Sequence, residues 1–375
     1  MNNPAILALA DGSVFYGQAF GCEGVTVGEV VVNTAMTGYQ ESLTDPASAQ
    51  QLMAFTYPHI GNSGTNADDN ESERVWAAGL IVRDVPLLAS SWRNEQALDD
   101  YLVAQQVVAI AGIDTRGLTR VVREKGNLAG CIMTGKEASA ARALELARDF
   151  AGLEGQSLIA QVSTEKAYPW SQSAWQLERN SCPEPKVENA PHVVVYDLGV
   201  RRSLLRALVS KGCQVTVVPA ATTVAEIMAL QPAGIVLSGG PGDPAACQKT
   251  VAQVAALLDT EVPVLAIGLG FQLAALAAGA QTYKCASGEY GVNVPVQDVQ
   301  SKQTMITQQN HSFAVSGKDF PAQLKLTHES LIDRSVQGFV HQSKPVIAYQ
   351  GIPELSTEPN SSAVFLDRFV AALQS

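Results

Sequence analysis

The residues of this sequence best placed to do chemistry sit on a turn. Val262–Ala280 reads VPVLAIGLGFQLAALAAGA: a short apolar strand, a turn bracketed by Gly268 and Gly270, then an Ala/Leu-rich helix. Strand, tight turn and helix in that order form a nucleophile elbow, which lifts one side chain onto a strained, exposed turn facing a substrate. A Cys or Ser belongs at the apex. This chain has Gly268 there, with no side chain to attack with. A second turn, Ser238-Gly239-Gly240-Pro241-Gly242-Asp243-Pro244, presents backbone N–H groups without obstruction, a nest suited to an anion. Paired with an elbow N–H it can form an oxyanion hole; taken alone it reads as an ordinary Pro/Gly loop. The elbow also spells Gly268-Leu269-Gly270-Phe271-Gln272-Leu273, close to a dinucleotide fingerprint. Leu273 stands where close helix–strand packing needs Gly or Ala, so nicotinamide binding is not expected. Cys247 follows the Gly-rich turn by three residues, but no motif places a histidine to activate it, and a structural thiol is expected.

Two kinds of rhythm position these turns. The first part alternates apolar and polar residues between turn signals, as in ILALADGSVFYGQAFG, where Asp11-Gly12 suits a hairpin. VGEVVVNTA continues that pattern, and the apolar spacing of Ala138–Phe150 predicts a helix. From about Gln156 to Pro191 the sequence turns polar and Trp/Ser/Pro-containing, as in NSCPEPKVENAP, which reads as a linker. Beyond it, buried strands at His192–Tyr196, Gln214–Pro219, Ala233–Leu237 and Val262–Ile267 alternate with helices such as Arg201–Lys211. That alternation predicts an open, mostly parallel sheet covered on both faces, preceded by a smaller strand-rich α+β domain. The expected division is 1–155, linker 156–190, and 191–375. Both glycine turns follow strands, so they share the carboxyl edge where such sheets place their sites.

Bulk properties narrow the function classes. The 375 residues suffice for two domains, 46% are hydrophobic, and only 16% are charged against about a quarter in ordinary domains. The net charge of −11 argues against nucleic acid or an anionic membrane as the main partner. No Lys or Arg precedes Arg74, although nine acidic residues do; this is either a plain acidic surface or a docking face for a basic partner. The six cysteines form no CxxC pair, which predicts free, mostly buried thiols in a reducing cytoplasm and no metal site. The start, MNNPAILALADGS, has no basic n-region, so no signal peptide is read there. Val262–Ala280 is uncharged for nearly a membrane-spanning length, but Pro263, Gln272 and its glycines favour a buried strand and helix.

The carboxy-terminal half resembles class I glutamine amidotransferases, and the whole chain is similar to the carbamoyl-phosphate synthetase small-subunit family. The stretches that carry the likeness are MTGYQESLTDP (Met36–Pro46), TYPHIGNSGTN (Thr56–Asn66), IDTRGLTRVVREKG (Ile113–Gly126), LSGGPGDP (Leu237–Pro244) and QNHSFAV (Gln309–Val315). The resemblance implies a small subunit that hydrolyses glutamine and passes ammonia to a large subunit, which uses ATP to build carbamoyl phosphate for pyrimidine and arginine synthesis. It implies ATP and Mg on that partner only, no cofactor in this chain, and a cytoplasmic heteromer.

Departures from the family pattern bear on activity. Where the family has a nucleophilic Cys, then Gly and His, this chain has Gly268, Gly270 and Phe271. Where it has a His-Pro-Glu base, this chain has Ile352-Pro353-Glu354, keeping only the orienting carboxylate. The glutamine-contacting Ser is Ala47, the Gly of the Asn-His-Gly-Phe motif is Ser312, and a His-rich loop corresponds to the histidine-free Gly288–Pro295. Gly240 and Leu269 match the oxyanion hole, and Gly242, Gln272, Asn310 and Phe313 the glutamine pocket. His311 is retained, but the family does not use it as the base. Covalent amide hydrolysis needs a nucleophile, a base and an orienting group. Removing nucleophile or base from a comparable triad costs about 10⁶ in kcat, roughly 8 kcal/mol of barrier. Two readings follow. One is a synthetase small subunit with an inactive glutaminase site, contributing structure and a tunnel while free ammonia supplies nitrogen. The other is a pseudoenzyme binding a ligand or new partner outside carbamoyl phosphate synthesis; retention of the first domain favours the former.

Overall fold

The computed structural model describes residues 3–358 and 360–374. One unit takes in the chain up to Glu154 with Ala286–Gly291, and the other takes in Gly155–Cys285 and the chain from Val292.

The first unit is built on β1 (Pro4–Leu9), β2 (Val14–Gly21), β3 (Val25–Asn33), β4 (Gln51–Phe55), β5 (Gly79–Ile81), β6 (Val108–Ala111) and β7 (Ala129–Thr134), with α1 (Tyr39–Thr44), α2 (Leu98–Ala104), α3 (Thr115–Lys125) and α4 (Ala140–Asp149). The Asp11-Gly12 turn joins β1 and β2 as a hairpin, with Gly12 at φ 97°. The strands close into a barrel in the order β1-β2-β6-β5-β4-β3-β7, which leaves no free edge to aggregate. Along β1, Ala5, Leu7 and Leu9 join Val30, Leu52 and Ile132 in one apolar cluster; Ile6 and Ala8 face the other way, against Ala143 and Ala147 of α4. Helix α3 adds Leu118 and Val122 to the first of these clusters. Asp114 caps it, accepting from the Gly117 N–H at 2.9 Å.

The second unit contains α5 (Ile159–Val162), β8 (Tyr168–Trp170), β9 (His192–Asp197), α6 (Arg202–Ser210), β10 (Gln214–Pro219), α7 (Val224–Ala229), β11 (Gly234–Leu237), α8 (Gln248–Leu258), β12 (Val264–Ile267), α9 (Leu269–Ala277), β13 (Thr282–Asp298), β14 (Thr304–Val315), β15 (Leu324–Ser330), β16 (Val336–His341), β17 (Val346–Tyr349) and α10 (Ala363–Ala372). Residues 286–291 of β13 belong to the first unit. Strands β10-β9-β11-β12-β17 pair in parallel. Both faces of this sheet are covered. Val194 and Tyr196 of β9 pack with Val254 and Leu273, while Val193 and Val195 pack with Leu204, Phe365 and Phe369. The segment 156–190 supplies α5 and β8, the latter an antiparallel edge strand on β10.

The expected open, mostly parallel sheet is corrected by the strands beyond β17. They run β17-β16-β15-β13-β14, with β17–β16, β16–β15 and β15–β13 antiparallel and Val315 of β14 pairing back onto Val336 of β16. That end of the sheet closes on itself. The cause is connection length: no helix separates β13 to β16, and parallel pairing needs a crossover that short links cannot supply. Among the described residues no helix is long and apolar enough to cross a membrane; the uncharged stretch Val262–Ala280 divides into β12 and α9. Cys131, Cys213, Cys247 and Cys285 are buried, and Cys22 and Cys182 are half-buried.

Candidate functional site

Gly268 stands between β12 and α9 with φ 53° and ψ −115°, backbone space that costs a residue with a side chain on the order of 1–3 kcal/mol. Its N–H donates to the Tyr349 carbonyl at 3.0 Å. A Cβ placed there would lie 3.2 Å from Gly239 Cα and 3.8 Å from the Gln350 carbonyl oxygen. The elbow apex, the Gly-rich turn after β11 and the end of β17 therefore meet at one point. Glycine is obligatory at two neighbours. A Cβ on Gly240 would stand 1.9 Å from the Leu198 carbonyl oxygen and 3.1 Å from Leu269 Cδ2; one on Gly270 would stand 2.5 Å from the Leu237 carbonyl oxygen. Leu269, first residue of α9, carries an N–H that the helix itself cannot use. Gly242, at φ 95°, lies against the Gln156 carbonyl, within 2.7 Å of where its Cβ would be.

Beyond β17 the chain passes Gln350 and Gly351 to Ile352, half-buried, whose N–H donates to the Gln308 carbonyl at 3.0 Å. Ser362 pins this segment: its hydroxyl donates to the Ile352 carbonyl at 3.3 Å and accepts from the Glu354 N–H at 3.1 Å. The Glu354 side chain is exposed, yet partial desolvation raises its carboxyl above the ordinary value. Gln272 is buried, and its amide nitrogen donates to the Phe313 carbonyl at 2.7 Å and to Gln350 Oε1 at 3.1 Å. Both amide protons thus tie α9 to β14 and to the residue after β17. Asn310 is half-buried and Ser312 and Phe313 are buried, all on β14. Ala47, in the first unit, is half-buried in a 3₁₀ turn and donates its N–H to Asp45 Oδ1 at 2.9 Å.

Several features differ from the sequence reading. Phe271, which stands where the family has His, is fully buried with its ring centroid 5.1 Å from that of Phe339. It fills the core because the first turn of α9 rotates it inward. Gly288–Pro295 is strand, not loop, and Tyr290 joins the core of the first unit. Cys247, in agreement with the sequence reading of a structural thiol, is buried, its thiol donating to Asp243 O and Ser157 Oγ at 3.3 Å each, and burial pushes it above the usual thiol range. Three residues that support the turns were missed. Asp197, at the end of β9, accepts from the N–H groups of Thr164, Gly199 and Val200; burial raises its pKa, while those three bonds favour its carboxylate. Ser238 Oγ accepts from the Leu198 N–H and donates to the Gly239 carbonyl, both at 2.9 Å. Asp243 accepts from the N–H groups of Gly155 and Ala245. For Asp197 and Ser238 the available signal was a short polar residue at the end of an apolar strand; for Asp243 it was Pro at the following position, the start of a short turn. Among the described residues no group of three or more His, Cys, Asp or Glu could hold a metal ion.

Two buried histidines give this unit an acid-sensitive character. Burial pushes His311 down to about 4, against the opposing pull of Asp333 and of the Phe313 backbone. It does the same to His328, although Asp298 lies 3.7 Å away, so that contact is no ion pair near neutrality. A histidine depressed in the folded state is protonated first in the unfolded chain. Its contribution to stability is present above pH 6.5 and is lost as pH falls towards 4, on the order of 3 kcal/mol per group. Urea unfolding of the second unit should show that loss, and His328→Gln should flatten the profile between pH 6.5 and 4. An unchanged slope in the variant counts against His328 as a source.

A parallel sheet with two glycine turns meeting at the ends of adjacent strands is the arrangement of a class I amidotransferase domain. The glutamine amidotransferase class-I family matches residues 194–372, and the carbamoyl-phosphate synthase small chain, CPSase domain family matches residues 7–132. The carbamoyl phosphate synthase small chain of Pseudomonas aeruginosa is 55% identical over 374 residues, covering 100% of this chain and 99% of its own; that of Pseudomonas syringae pv. tomato is 54% identical with the same coverage. A solved glutamine amidotransferase from Thermotoga maritima aligns over 50% of this chain and 84% of its own, at 19% identity and a TM-score of 0.36, too distant to carry an argument. The chain belongs to the carbamoyl phosphate synthase small chain family.

Proposed function

We propose that this chain is a small subunit of carbamoyl phosphate synthase that has lost glutamine hydrolysis and retains a structural and ammonia-channelling role beside a large subunit. ATP and Mg act on that partner. The observation that carries the reading is Gly268 at φ 53° on the elbow, the one position where the turn would present a nucleophile to the Gly-rich loop. Ile352 reinforces it, since an aliphatic side chain two residues past Gln350 can neither take nor give a proton. Gly240 and Leu269 remain as the oxyanion hole, and Glu354 as a carboxylate with no imidazole to orient. An oxyanion hole without nucleophile and base cannot recover about 8 kcal/mol of barrier. Loss of both groups, rather than one, fits relaxed selection on the pair. Full-length similarity to the family's small chains, first unit included, favours a retained place in the synthase.

Within the second unit the remnant pocket comprises Gly242, Gln272, Asn310, Ser312 and Phe313; by resemblance alone, Ala47 stands where the family has a glutamine-contacting Ser. Glutamine should bind it weakly, in the millimolar range. Ala47 lacks a hydroxyl, and each lost hydrogen bond costs about 0.5–1.5 kcal/mol; both amide protons of Gln272 are already engaged. Calorimetry on the purified chain tests this, and micromolar affinity for glutamine would sink it. Co-purification with a large subunit tests the other half of the reading.

A further inference from the structure

The second unit holds a cavity of ≈ 510 Å³ that no residue of the elbow or the remnant pocket lines, inside the range of roughly 300–1,000 Å³ typical of small-molecule sites. Its charged side chains are one acid, Asp298 at the end of β13, and one permanent cation, Arg368 on α10. Asp298 Oδ1 accepts from the N–H groups of Gln300 and Ser301 at 2.8 and 2.7 Å. Against the cost of burial, the backbone and hydroxyl bonds of this turn hold the carboxyl below its ordinary value. Asp298 Oδ2 is turned to His328 Nε2, 3.7 Å away. A ring N–H aimed at a carboxylate closes to about 2.7–2.9 Å, so this separation is that of two acceptors. The ring hydrogen then belongs on Nδ1, 3.0 Å from Thr327 Oγ1. His328 is buried, and its Nε2 has no hydrogen-bond partner among the described residues.

This pair of acceptors is held in place before any ligand arrives. The imidazole lies against the Phe365 ring with centroids 4.8 Å apart, and Phe365 stacks on Tyr349 at 4.1 Å and 11°. Two adjacent acceptors, one of them fully charged, are matched by a group that brings several N–H donors and a positive charge. A primary ammonium does both. Met305, buried, and Val364, half-buried, add an apolar wall. On the exposed side Arg368 makes no ion pair or hydrogen bond among the described residues, and a guanidinium can hold a carboxylate by two parallel N–H bonds. A metal cation would satisfy Asp298 and leave Arg368 facing a like charge. A plain anion would use Arg368 and bring no donor to Asp298 and Nε2. We infer that this cavity binds a small zwitterion of the amino acid class, its ammonium held by Asp298 and His328 and its carboxylate by Arg368. The inference goes beyond the proposed function and does not depend on it.

The test is calorimetric titration of the full-length chain near neutral pH with glycine, β-alanine, 4-aminobutanoate and 5-aminopentanoate, and with L-alanine and L-valine. The first four form a ruler for the span from Asp298 to Arg368, and the last two ask whether both charges must sit on one carbon. The best of the six should bind at about 1 mM or tighter. The matching alkylamine and alkanoate, each lacking one charge, should bind at least about tenfold more weakly. Arg368→Gln should also cost about tenfold or more, with an unchanged thermal midpoint because the residue is exposed. Asp298→Asn, which keeps the Oδ1 acceptor for the turn, should abolish binding. Arg368 does not line the remnant pocket, so any glutamine held there should be indifferent to Arg368→Gln, which separates the two sites. Failure of all six to bind within about 1 mM overturns the inference, as does binding that both variants leave unchanged. So does stoichiometric binding of Zn²⁺ alone that Asp298→Asn abolishes, or of inorganic phosphate alone that Arg368→Gln abolishes.

Discussion

Gly268→Cys should leave the chain without measurable glutaminase activity, and Gly268→Cys/Ile352→His should exceed either single variant by at least about 100-fold. The thiolate is the nucleophile, and a thiol with no base beside it is mostly protonated at neutral pH. Histidine at 352 alone has nothing to activate. Members of a triad act as a unit, so the two changes should be strongly non-additive. The backbone is ready for the thiol, since the segment carrying Ile352 already passes Gly268 through the Gly268 N–H to Tyr349 carbonyl bond. Two features limit the gain. A Cβ at 268 meets Gly239 Cα at 3.2 Å, and Ser312 stands where the family has glycine. Ammonia release from glutamine measures the effect, and equal rates in the single and double variants would show that position 352 does not serve as the base.

Gly240→Ala and Gly270→Ala should each destabilise the second unit by more than about 4 kcal/mol, enough to prevent soluble folding at 37 °C. Each added methyl would meet a backbone carbonyl, Leu198 at 1.9 Å or Leu237 at 2.5 Å. A carbonyl at the end of a central strand cannot swing aside as a side-chain tip can. Gly239→Ala is the internal control. Its Cβ would meet nothing within 4 Å, so it should fold like wild type although it adjoins Gly240. Urea midpoints or soluble yield read the difference, and a stable Gly270→Ala protein would mean that α9 packs less closely on β11 than described.

The local signals were legible. Apolar runs bounded by glycine turns mark β9 to β12, the Asp11-Gly12 hairpin is visible, and the elbow glycines announce a strand–helix turn. Pairings between distant segments were not. The barrel closes because β3 pairs with β4 on one side and with β7, about a hundred residues later, on the other, and no local periodicity encodes that choice. The same holds for the return of Val315 onto Val336, which turns an expected open sheet into one with a closed end. Tyr168–Trp170 is too short a strand to stand out from the Pro-rich sequence around it. At the candidate site, Gly268, Gly240 and Gly242 could be read from type and spacing. The bonds from Gln272 to Gln350 and Phe313 and the pinning of Ile352 by Ser362 could not, because the partners come from separate elements.

The most direct measurement of the central claim is nitrogen-source dependence in the assembled synthase. The purified complex of this chain with a large subunit is supplied with ATP and either ammonium or glutamine, and carbamoyl phosphate is followed. The account predicts product with ammonium and only background with glutamine. Glutamine-dependent product that survives removal of contaminating enzymes, and that a substitution among this chain's own pocket residues abolishes, would contradict it.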